Sequence, residues 1–88
     1  MNAPILRPAQ PTPEAIAHAR LRVWAADVRD GKPPYEADTA AAVWATALCR
    51  VLDTIDTLRQ ARRDREDLHV TADMLLARLA ECGLRPPS

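Results

Sequence analysis

Helix breakers divide this chain more sharply than any other feature. The eight prolines are Pro4, Pro8, Pro11, Pro13, Pro33, Pro34, Pro86 and Pro87, and the two glycines are Gly31 and Gly83. All of them fall into three clusters, and the two stretches between the clusters carry uninterrupted helical patterns. The chain therefore reads as all-α. A Pro-rich extended arm (1–12) precedes a single helical domain (13–84), and a short tail (85–88) follows it.

The first helix is expected over 13–30. Thr12 can accept a hydrogen bond from an orphan N–H, Pro13 suits the first helical position, and Glu14 complements the helix dipole. Ala17, Leu21, Trp24 and Val28 recur at spacings of four, three and four, which places them on one stripe, while Arg20, Arg22, Asp27 and Arg29 mostly face away. The segment 31–38 contains Gly31, Pro33 and Pro34 and reads as a loop that reverses the chain.

Asp38 is a good N-cap for a second helix, and no proline or glycine interrupts it before Gly83. The pattern predicts a long helix over 39–82, roughly 66 Å at 1.5 Å per residue. Gly83 can take the left-handed conformation past the cap, Leu84 can fold back onto Leu79, and Pro86-Pro87 stop the helix. Its middle is the weak stretch, with seven of the nine residues from 59 to 67 charged. Arg62 with Glu66 and Arg63 with Asp67 have the i,i+4 spacing that supports a helix, so continuity is expected. The alternative is a break near 68–71, where Thr71 could cap a third helix.

Along the long helix Trp44, Leu48, Val51, Ile55 and Leu58 repeat at the four-three spacing of a bundle seam. The first helix pairs with this seam as an antiparallel hairpin whose apolar interface holds both Trp24 and Trp44. A second seam, with Leu68, Ala72, Leu75, Leu79 and Cys82, joins the first through a change of register at Leu58. A first helix of about 27 Å covers the long helix only to about residue 57. Leu68, Ala72, Leu75, Leu76 and Leu79 then lack a partner within the chain, at ~1.5 to 3 kcal/mol for each large apolar side chain buried. Self-association into a coiled-coil-like bundle, most simply a homodimer, is expected through those five residues, with a heterologous protein partner as the runner-up.

Composition bears on function mainly by exclusion. Twelve basic and twelve acidic residues cancel in a chain of 88, which argues against a protein that coats nucleic acid or anionic lipid. The longest fully apolar run, 40–45, is far shorter than a bilayer span of about 20 residues, and the N-terminal pattern lacks the apolar stretch of a secretory signal, so a cytoplasmic location is expected. With Gly31 and Gly83 as the only glycines, far apart in the chain, no GxGxxG, GxxxxGK[ST] or GxSxG motif can form. Cys49 and Cys82 stand far apart, and His18 and His69 form no metal-ligand spacing with them. No cofactor or metal is expected, and neither is enzymatic activity. Aromatics are scarce, with Phe absent, and the bias toward Ala, Arg and Pro suggests a bacterial or phage origin.

The run Leu52-Asp53-Thr54-Ile55-Asp56-Thr57-Leu58 resembles the IDxIDxxL run in the first helix of the all-helical chorismate mutases, a family of small helical dimers. The likeness covers about seven residues, and in that family the run lies near the start of the chain, with more helix after it. The residues themselves read as Asp53 and Asp56 exposed beside the Ile55 and Leu58 seam. Arg59, Arg62 and Arg63 share a helix face and are candidate phosphate contacts, although Asp56, Asp64, Glu66 and Asp67 largely cancel the 59–65 cluster and no aromatic residue interleaves for base stacking. The functional expectation is a non-enzymatic helical interaction or assembly module, a small bacterial or phage accessory protein. A nucleic-acid-associated regulator using the 59–65 arginines on a helical dimer is the alternative.

Overall fold

The computed structural model describes residues 12–36, 38–58 and 60–87. The expected N-terminal arm lies almost wholly outside them, and so does Arg59. The described chain is all-helical, with α1 at Pro13–Arg29, α2 at Thr39–Thr57 and α3 at Arg62–Glu81. Three helices replace the expected short and long pair.

The caps explain most of the boundaries. Thr12 accepts a hydrogen bond from the Ala15 N–H at 3.1 Å and Asp38 accepts one from the Ala41 N–H at 2.9 Å. Both glycines close helices in the left-handed conformation, Gly31 at φ 67° and Gly83 at φ 83°. After α1, the Gly31 N–H donates to Val28 O (3.2 Å) and the Lys32 N–H to Asp27 O (3.0 Å). After α3, Gly83 donates to Ala80 O (2.9 Å) and Leu84 to Leu79 O (3.0 Å). Both ends have the paired bonds of a Schellman stop. The accompanying contact is half-buried Leu84 against the core after α3, and a Lys32–Asp27 ion pair of 3.5 Å after α1.

The expected continuous helix over 39–82 is interrupted, and not at 68–71, which lies inside α3. The chain turns between Leu58 and Ala61, whose backbones stand at φ −85°, ψ 88° and φ −82°, ψ 73°. The Arg62 N–H donates to Gln60 O at 2.9 Å, which with the Ala61 angles makes an inverse γ-turn. Both angle pairs have negative φ, which any residue adopts, and the segment contains neither glycine nor proline. The turn falls just before the densest run of charge, 62–67, which opens α3, and solvent can satisfy the freed backbone groups there.

Successive helices run antiparallel. His18 near the start of α1 lies 2.8 Å from Asp56 at the end of α2, and Arg78 in the last turn of α3 lies over Trp44 in the second turn of α2. Both α1 and α3 pack along α2, and among the described residues no Cα of α1 comes within 8 Å of one in α3. The buried stripe of α2 is Ala41, Ala45, Leu48, Leu52 and Ile55, with Cys49 beside it. It shares only Leu48 and Ile55 with the expected seam, because a helix between two neighbours buries the strip facing the space between them. Trp44, Val51 and Leu58 are half-buried on its edge. From α1 the core takes Trp24, Ala25 and Val28, and from α3 Ala72 and Leu79. The expected interface for both tryptophans thus holds for Trp24 only. The indole N–H of Trp24 donates to the Tyr35 hydroxyl at 3.1 Å, so the loop is tied to the core.

Two outcomes test this fold. Leu79 is fully buried, and Leu79→Ala should destabilise the chain by ~2 to 5 kcal/mol in denaturant titration. Ala61→Pro, at a φ that proline adopts, should cost less than about 1 kcal/mol, whereas a helix running through this point would lose about 3 kcal/mol or more.

Candidate functional site

The residues expected to meet a partner lie along the inner side of α3. Ala72 and Leu79 are buried in the chain's own core, and Leu68, Leu75 and Leu76 are half-buried against it. The length mismatch behind that expectation does not arise, because the turn at 58–61 gives this half of the chain α2 as its neighbour. Of the arginine cluster, Arg62 and Arg63 are exposed in the first turn of α3, and Arg62 is engaged by Glu66 at 3.7 Å. Arg65 is half-buried, and Arg59 lies outside the described residues.

The structure instead assembles a polar cluster that sequence spacing did not reveal. Arg22 bridges two carboxylates of α2, donating from Nη2 to Asp53 Oδ1 at 2.5 Å and from Nη1 to Asp56 Oδ2 at 2.6 Å. His18, one turn earlier on α1, places Nε2 2.8 Å from Asp56 Oδ1 but without an aligned hydrogen bond. The two aspartates of the chorismate-mutase-like run are thus held by a cation of the neighbouring helix. The signal that would have found this is the register of an antiparallel pair. A His and an Arg at i,i+4, from the second turn to the middle of α1, come level with two Asp at i,i+3 near the end of α2. Arg22 is 46% exposed and its partners 60% and 40%, so the cluster sets the alignment of α1 on α2 more than it adds stability.

Cys49 lies beside this cluster and is buried. Burial pushes its thiol above the usual range, with smaller opposing influence from Arg29, so the nucleophilic thiolate is suppressed. At the loop end of α1, the exposed Arg29 and Asp30 hydrogen-bond each other at 2.9 Å, and that contact lowers the Asp30 carboxyl and raises the Arg29 guanidinium. Among the described residues no group of three or more His, Cys, Asp or Glu is placed to hold a metal. No helix is long and apolar enough to cross a membrane there.

The second feature is the outer side of α2. Its first eleven residues, 39–49, carry no charged side chain on any face. A solvent-facing helix ordinarily has a charged outer face, and one that is apolar all round is ordinarily covered. Here Ala40 is exposed and Val43 is 65% exposed. Trp44 forms the floor of an open groove of about 470 Å³ between α2 and α3, walled by Thr71, Met74, Leu75 and Arg78. Met74 is 65% exposed, and the Arg78 guanidinium lies 5.7 Å from the centre of the Trp44 ring. A second apolar groove on α1, lined by Ala19, Val23 and Trp24, has Pro87 of the C-terminal tail against it.

Comparison with protein-family models, with curated proteins and with solved structures finds no match to this chain.

Two measurements check the polar cluster and its neighbour. Arg22→Ala should cost about 1 kcal/mol or less, and the loss should shrink as salt is raised. With an alkylating reagent at neutral pH, Cys82 should react on the order of ten times faster than Cys49, with the difference collapsing in denaturant.

Proposed function

We propose that this chain is a non-enzymatic helical protein–protein interaction module, and that its working surface is the outer face of α2 together with the Trp44 groove. The observation that carries this reading is the charge-free stretch 39–49 combined with the exposure of Val43 and Met74. The inner strip of α2 already serves the chain's own core through Ala41, Ala45 and Leu48. The outer face is not needed there, yet it lacks the charges that keep a solvated helix in water. Docking of another helical surface supplies the missing cover. The half-exposed indole of Trp44 under an arginine is the kind of anchor on which interface energy concentrates.

The candidate phosphate contacts fit a solvated role better than a nucleic-acid one. Arg62 is paired within its own helix, and acidic Asp64, Glu66 and Asp67 alternate with the arginines. Formal charge is balanced over the whole chain as well.

A photo-crosslinking residue placed at Val43 tests the proposal in the cells that make the protein. Covalent adducts, with a second copy or with another protein, should form there at several times the yield from the same residue at Thr54. Equal yields at the two positions, or none at Val43, would overturn it.

A further inference from the structure

We infer that the first half of α1, residues 13–22, is a flap held shut by charge. It comes off α2 and unwinds as a unit while the rest of the molecule stays folded, and ionic strength sets how often it does so. The inference concerns α1 and does not rest on the docking face of α2.

The distribution of burial along α1 carries it. The helix buries Trp24, Ala25 and Val28, all in the half nearer the loop. That half is fixed further by the hydrogen bond from the Trp24 indole to the Tyr35 hydroxyl and by the turn that closes the helix at Gly31. Along residues 13–20 only His18 is half-buried and every other residue is exposed, Ile16 to 40%. Of residues 13–22, Leu21 alone packs its apolar side chain against the core, and only in part. Burial in α2, by contrast, extends from Ala41 to Ile55.

What joins the first half of α1 to α2 is therefore chiefly the polar cluster. Arg22 donates to Asp53 and Asp56, and His18 stands beside Asp56. With Arg22 46% exposed and the two carboxylates 60% and 40%, water and salt reach both arginine pairs, so their hold is modest and screened. No other element takes up the load. Among the described residues no Cα of α3 comes within 8 Å of one in α1, and Pro87 of the tail, itself exposed, leaves the groove beside Ala19 and Val23 open. A helix of this length is marginal without tertiary contacts, so releasing the cluster lets the backbone hydrogen bonds of the segment open as well. Packing around Trp24 and Val28 stops the opening there.

Native-state amide exchange of the full chain, resolved by residue with NMR, tests this. At low salt the amides of residues 18–22 should share one protection level, about tenfold or more below that of residues 25–28, with a step near Trp24 rather than a gradual decline from the helix end. Raising sodium chloride from about 20 mM to about 1 M should lower protection at 18–22 roughly threefold, and Arg22→Ala at low salt should do the same. Val28→Ala removes packing that only complete unfolding breaks, so it should lower protection at 25–28 about tenfold and leave 18–22 unchanged. Should that variant fail to fold, urea below the unfolding transition makes the same distinction on the unaltered chain. Opening a flap exposes little surface, so urea should erode protection at 25–28 and spare 18–22. The inference is overturned by a single protection level along the whole of α1, or by a parallel fall of both groups with Val28→Ala or urea. Indifference of 18–22 to salt or to Arg22→Ala would overturn it equally.

Discussion

Burial along a single strip of α2 holds this protein together. Leu48 and Leu52 are almost wholly withdrawn from water, with Ala41 and Ala45 stacked above them, and both α1 and α3 rest on that strip. The flanking helices do not approach each other closely, so neither has another backbone to lean on. The alanines let both neighbours come near α2, and the leucines fill the space between. Loss of packing on this strip would loosen both helices together. In a small chain with few aromatics, one helix thereby supplies the packing surface for both of its neighbours.

That arrangement also defines the surface available for function. Besides the inner strip that α2 buries in the fold, Trp44 and Val51 pack at its edge, and among the described residues Val43 on the outer side stays exposed. The polar cluster of His18, Arg22, Asp53 and Asp56 lies at the opposite end of α2 from the uncharged stretch and fixes the register of α1. Burial raises the Cys49 thiol beside it above the usual range, and among the described residues no group of three or more His, Cys, Asp or Glu gathers to hold a metal.

Much of the fold was legible in the sequence. Thr12 and Asp38 as caps, Pro13 at the first helical position, and Gly31 and Gly83 past the last residues all stand where local backbone physics puts them. The turn at 58–61 was not legible, because the segment contains neither glycine nor proline and Leu58 and Ala61 take negative φ angles, so it leaves no punctuation. What drives it is tertiary. Folding α3 back buries Ala72 and Leu79 and shelters Leu68, Leu75 and Leu76, and no local propensity records that gain. The true strip of α2 was likewise hidden, since Ala41 and Ala45 are weak markers beside Trp44 and Val51. The uncharged run 39–49 was visible throughout, but it acquires meaning only when Val43 is seen on the outside.

The core strip and the groove beside Trp44 both depend on α3 lying alongside α2 rather than extending from it, and a distance between spin labels measures this directly. Labels at exposed Thr39 and Glu81, on chains diluted with unlabelled protein to suppress signals between copies, mark the start of α2 and the end of α3. Side-by-side antiparallel helices place the labels within about 25 Å, given axes roughly 10 Å apart. A continuous helix would separate them by roughly 63 Å, and a distribution centred there would contradict the folded-back arrangement.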